Sequence, residues 1–170
     1  MLNDILSGKV EIVFCGTAKG KKSASSGYYY AGPGNKFYSI LYNAGFTPYK
    51  LLPSECYSIN QFGIGLTDLV HCEAGNDNQI KHESYEVEEF IEKVKYLNPK
   101  IIAFTSKTAA SYALGFLGAT NLVNYGLQAK TIGESKVFVL PSTSGNARRY
   151  WNEIYWFQLN ELLKDKSSNL

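Results

Sequence analysis

Residues 13–47 read VFCGTAKGKKSASSGYYYAGPGNKFYSILYNAGFT, and the order of textures along them decides the fold. An apolar run from Val10 to Cys15 reaches Gly16 and opens into a polar Gly/Ser/Lys loop, the pattern of a buried strand feeding a functional loop. From Lys36 to Ala44 apolar residues return at helical spacing, and Gly45 supplies the stop. The stretch predicts strand, long loop, helix.

Further along the chain the pattern repeats. Ile64 to Val70 reads as a second strand, Glu73 to His82 as a polar segment that loops out, and Ser84 to Leu97 as an amphipathic helix with Val87, Phe90, Ile91 and Val94 on one face. Asn98-Pro99 breaks that helix; Lys100 to Thr105 then predicts a strand and Lys107 to about Leu114 a small-residue helix. Lys136 to Leu140 is the last predicted strand, followed by a loop over Pro141 to Gly145, a helix from about Ala147 to Leu163, and a frayed tail from Lys164 to Leu170. Four strands alternating with helices predict a three-layer α/β/α fold around a central, mostly parallel four-stranded sheet, with residues 1–170 forming one domain. Ligands of such sheets collect at the carboxyl ends of the strands. The loops Gly16–Asn35 and Pro141–Arg149 are expected to face one another there.

Composition narrows the function classes. The chain is 45% hydrophobic and 19% charged, with no apolar run long enough to span a bilayer and no basic-then-apolar leader, so a soluble intracellular protein is expected. Cys15, Cys56 and Cys72 are odd in number, scattered and never CxxC, which argues against disulfides, a zinc ribbon or an iron-sulfur cluster. His71 and His82 lack metal-ligand spacing, so no metal is expected. Net charge is only +2, but Lys19, Lys21 and Lys22 cluster in the first loop and Arg148 and Arg149 in the second.

The first loop is neither GxGxxG nor GxxxxGK[ST], because Gly16 and Gly20 stand four apart and Gly27 is followed by Tyr28. A nucleotide cofactor is disfavoured, and no other cofactor is called for. Residues 13–47 do resemble the first conserved block of the mismatch-specific uracil and thymine DNA glycosylases of the uracil-DNA glycosylase superfamily. Gly16, Gly20, Ser23, Tyr30, Pro33, Asn35, Phe37 and Tyr38 stand at the block's positions. Residues 140–151, LPSTSGNARRYW, resemble its strand-separating block, and GIGLTDLV at 63–70 resembles a third stretch. The resemblance implies the family's α/β fold and a DNA partner carrying a damaged or mismatched base; a monomer is expected.

One departure concerns the chemistry. The family's water-positioning Asn falls on Ala18, whose side chain cannot orient water. Two readings follow: a catalytically impaired homologue that binds DNA or a free nucleobase, or an enzyme similar to the hypoxanthine DNA glycosylases, whose block also begins GT, lacks that Asn and relies on the Asn of YYxxPxN, here Asn35. The second is preferred because the rest of the pocket sequence is intact. A nucleotide-binding α/β protein of another class ranks third.

Cleaving an N-glycosidic bond builds negative charge on the departing base, so donors and a placed water are needed once the base has left the stack. Asn35 and Ser23 are the candidate catalytic residues; Gly16, Thr17, Gly20 and the Tyr30 ring are the candidates for holding the base. Without the resemblance, Asn35 reads as a helix cap. Lys19, Lys21 and Lys22, with Ser142, Thr143, Ser144 and Gly145, are candidates for DNA contact, Asn146 for the wedge filling the vacated stack, and Arg148 for gripping phosphate. Asp68 ranks below Asn35 as a general base, since the aligned family position varies and an exposed acid would repel phosphate.

Overall fold

The structure, a computed structural model, describes residues 2–165. Five strands form one sheet: β1 (Ile12–Ala18), β2 (Ile64–Val70), β3 (Ile101–Phe104), β4 (Gly126–Leu127) and β5 (Lys136–Val139). Their order is β2-β1-β3-β5-β4, with every pair parallel except β4–β5. The α/β architecture with a mostly parallel sheet is as expected. The strand count is one higher because β4 is two residues long, too short to carry a periodic signal. β1 also runs past Gly16 to Ala18, since β2 offers pairing partners as far as Val70.

Residue alternation along the strands makes the three layers. Ile12 and Phe14 of β1, Ile101 and Ala103 of β3 and Phe138 of β5 face a core shared with Phe37, Leu41 and Trp156. Cys15, Ile102, Phe104, Val137 and Val139 face the opposite core, shared with Phe90, Val94 and Ala110. Both faces are thus covered, as a parallel sheet requires. Helices α2 (Phe37–Asn43) and α5 (Ile154–Lys164) lie on the first side, α3 (Val87–Leu97) and α4 (Lys107–Ala113) on the second. Each fully buried Phe, Leu or Ile contributes roughly 1.5–3 kcal/mol relative to exposure.

Three expectations need correction. The first loop contains a short helix, α1 (Lys21–Ser26), invisible in sequence because KKSASS has no apolar stripe. The single helix expected over 147–163 is instead a 3-10 turn, Gly145–Tyr150, then an extended Trp151 and the separate α5. Helix α3 begins at Val87, after a 3-10 turn at His82–Ser84. The expected frayed tail lies, from residue 166 onward, outside the described residues. No helix among them is long and apolar enough to cross a membrane.

Candidate functional site

At the carboxyl ends of β1, β2, β3 and β5 the chain leaves a cleft of about 760 Å³. It is lined by Gly16–Ser23, Tyr29, Tyr30, Asn35, Asp68, Thr105, Ser106 and Ser142–Ala147. The two loops expected to face one another therefore share one cavity. They meet through backbone: the Lys36 amide donates to the Thr143 carbonyl at 3.0 Å, and a Cβ on Gly145 would lie 3.3 Å from the Pro33 carbonyl oxygen.

The floor is built by register. Gly16 pairs with Asp68 across β1 and β2, and a Cβ at Gly16 would sit 2.7 Å from Asp68 Oδ1 and 3.3 Å from Thr105 Oγ1. Only hydrogen fits there. Asp68 is 7% exposed, contrary to the expectation of an exposed acid. Its burial follows from its place at the covered end of β2. Desolvation pushes its carboxyl up to about 7, opposed by the nearby charges of His71 and Lys19.

Beneath the floor lies a charged cluster. Asp4 Oδ1 accepts from Thr67 Oγ1 at 2.7 Å and lies 2.8 Å from His71 Nε2, while its Oδ2 contacts Lys93. Burial works against ionisation of Asp4, but the hydrogen bonds from His71, Lys93 and Thr67 prevail and hold it at about 2. His71 Nδ1 also faces Glu86 at 3.3 Å. The hydrogen bond with Asp4 raises the His71 pKa above the ordinary value.

Tyr30 adopts a left-handed backbone (φ 53°), which turns its ring onto Phe37 with centroids 3.8 Å apart and planes 22° from parallel. Its hydroxyl lies 3.4 Å from Thr105 Oγ1. Thr17 Oγ1 lies 3.4 Å from Ser106 Oγ, which also caps α4 by accepting from the Ala109 amide. Ser23 is buried and its Oγ accepts from the Ala31 amide at 3.1 Å, tying α1 to the turn that carries Tyr30. Asn35 lines the cleft while its Oδ1 accepts from the Phe37 amide at 3.0 Å. Its carbonyl thus caps the first amide of α2 from the residue before the N-cap, Lys36, and its NH2 makes no hydrogen bond among the described residues.

The basic residues divide. Lys21 and Lys22 stand exposed at the rim, but Lys19 Nζ donates to the His71 carbonyl at 2.7 Å. Arg148 does not line the cleft; its Nη2 lies against Gly34, 3.3 Å from where a Cβ would be. In the second loop Thr143 is buried, and Ser142 and Ser144 accept from the Ser144 and Asn146 amides. Asn146 is exposed, with Nδ2 3.3 Å from Asn76 Oδ1.

That last contact belongs to a segment expected to loop out. Residues 75–79 do not loop away; they fold back to line the cleft, anchored by the Gly75 amide on the Lys19 carbonyl at 3.0 Å. Thr105 and Ser106 also line the cleft; the first ends a predicted strand and the second follows it, where sites of this fold class form. Tyr29 was passed over for its neighbour.

A covered, mostly parallel sheet with a cleft between a glycine-rich loop and a serine-rich loop at its strand ends defines an α/β protein with its candidate site at those ends. The comparisons then give the family. Residues 4–164 match the model of the uracil DNA glycosylase superfamily, and the chain belongs to that superfamily. Its fold is similar to the solution NMR structure of a candidate uracil DNA glycosylase from Methanosarcina acetivorans, with a TM-score of 0.67, 22% identity and 96% of each chain covered.

Proposed function

We propose that this chain is a monofunctional DNA glycosylase that hydrolyses the bond between deoxyribose and a deaminated base, with a site organised as in the hypoxanthine-excising branch. The observation that carries the reading is the convergence of Gly16, Ala18, Tyr30, Asn35 and Asp68 on one cleft that also receives the Ser142–Asn146 loop. In this reading the base leaves the stack and lies against Tyr30, whose ring is already braced from behind by Phe37. Gly16 lets the backbone approach the base edge. Asn146 fills the vacated space, and Lys21 and Lys22 meet phosphate.

Hydrolysis joins a water oxygen to C1′ and breaks the bond to the base nitrogen, whose electron pair stays with the base. The water proton and the base must both be served. With Ala18 where the family carries a water-positioning Asn, the free NH2 of Asn35 stabilises charge on the departing base. The base leaves as an anion that takes its proton from solvent, to which the attacking water also gives one up, while Asp68, poised near neutrality, faces the base edge. Ser23 holds the Tyr30 turn in place.

The test uses duplex and single-stranded oligonucleotides carrying uracil, hypoxanthine, xanthine or a G:T mismatch, followed by alkaline cleavage of abasic sites. Excision of a deaminated base supports the reading. Measurable DNA binding with no product from any substrate establishes the alternative that Ala18 favours, a binding homologue without catalysis.

A further inference from the structure

Tyr29 is 2% exposed, its ring centroid lies 6.1 Å from that of Tyr30, and its carbonyl accepts from the Tyr38 hydroxyl. Its position is therefore fixed. Yet the residue lines the cleft, and its hydroxyl is one of two buried side-chain polar atoms without a hydrogen-bond partner among the described residues. The other, Trp156 Nε1, lies in the same apolar core that Tyr29 joins, but Trp156 does not line the cleft. Buried hydroxyls are ordinarily satisfied, and leaving one unpaired is costly. An orphan at a cleft wall leaves a place for a ligand atom.

We propose that the Tyr29 hydroxyl reads the flipped base, donating to the exocyclic oxygen that deamination creates, while Asp68 engages the ring N–H beside that oxygen. The inference rests on the glycosylase reading above and names what that site selects: bases with a carbonyl next to a ring N–H. Uracil, hypoxanthine and xanthine share this edge with thymine and guanine, so the contact tells a deaminated base from an amino-bearing parent and leaves thymine and guanine to be excluded by the rest of the cleft. Cytosine and adenine present an amino group at the same position, a donor that leaves the phenol hydrogen without an acceptor. Burial, and then the charge of Asp68, raise the Tyr29 phenol far above its ordinary range, so it stays protonated and available to donate. Tyr30, by contrast, has its hydroxyl beside Thr105, which leaves it the stacking role.

Tyr29→Phe keeps the ring and removes only the orphan oxygen. Wild type and Y29F are compared for binding to duplexes carrying a single uncleavable, sugar-fluorinated deoxyuridine or deoxyinosine, to the undamaged duplex, and for turnover on the cleavable versions. The expected result is about a tenfold or greater loss in the ratio of damaged to undamaged affinity, unchanged affinity for undamaged duplex, and an unchanged or raised melting temperature. Y29F with the wild-type ratio and turnover, in a wild type that discriminates, overturns the role of Tyr29 alone. A wild type that binds damaged and undamaged duplex equally overturns the glycosylase reading and the inference together. A wild type that discriminates without turnover removes the chemistry but leaves Tyr29 to be decided by the binding ratio.

Discussion

Asp68→Asn removes a buried titration while hardly changing side-chain shape. The carboxyl goes from an ordinary 3.8 to about 7 on folding. Between those values the native state keeps a proton that the unfolded chain has released, so stability falls as pH rises through the interval and the loss is complete above about 7. A span of about 3 units corresponds to about 4 kcal/mol at 1.36 kcal/mol per unit, of which about 3 kcal/mol falls between pH 5 and pH 8. Asparagine cannot ionise, so D68N escapes this loss. The difference in unfolding free energy between D68N and wild type should therefore rise in favour of the variant from pH 5 to pH 8. At roughly 2–4 °C per kcal/mol for a chain of this size, the melting-temperature difference should grow by about 6 °C or more. Urea or thermal unfolding at four pH values suffices, and the titrations of Asp4 and His71 occur in both proteins and largely cancel. A difference that stays constant within about 0.5 kcal/mol across this range would refute a buried, proton-holding Asp68.

Other outcomes follow from the same geometry. Asn35→Ala should lower excision by about a hundredfold, measured under single turnover, while costing only about 1 kcal/mol of stability for the lost cap; unchanged turnover reduces Asn35 to a cap. Ala18→Asn should raise uracil excision sharply if the water-positioning role is vacant, and an unaltered rate would show that the cleft places water by another group. Replacing Lys21 and Lys22 by Ala should weaken DNA binding and reduce the slope of log K against log salt by about one per lysine, whereas Lys19→Ala should act mainly through the lost bond from Nζ to the His71 carbonyl, since the backbone carbonyl that anchors Gly75 remains. An unchanged slope in the double variant removes both lysines from the phosphate path.

The elements legible in sequence are those whose side chains repeat with a period. β2 is read to its end residues, and β3, β5, α2 and α4 within about one residue, because their apolar residues are buried against one or both covers of the sheet. α1 and β4 carry no such repeat and were missed. The cleft was legible as a meeting of two loops, since strand ends must lie on one side of a parallel sheet. Its floor was not. Whether Asp68 is exposed depends on its pairing with Gly16, a relation 52 residues apart in sequence that no local pattern encodes. Nor could Tyr29 be told from Tyr30, because a left-handed backbone at Tyr30 sends successive rings in unrelated directions.

The seam at which the Lys36 amide meets the Thr143 carbonyl, and Gly145 abuts Pro33, has a mechanical consequence. It works as the rivet of a pair of callipers. On the proposed glycosylase reading, the jaw that would hold the base and the jaw that would replace it in the helix are fastened along this seam, so the span between them is set by the fold and not by the DNA. A duplex bound in that way would have to deform to match that span, and a lesion that has already weakened its pairing deforms most readily. Lengthening either loop by one residue would slip the rivet and blunt discrimination even with every contacting side chain intact.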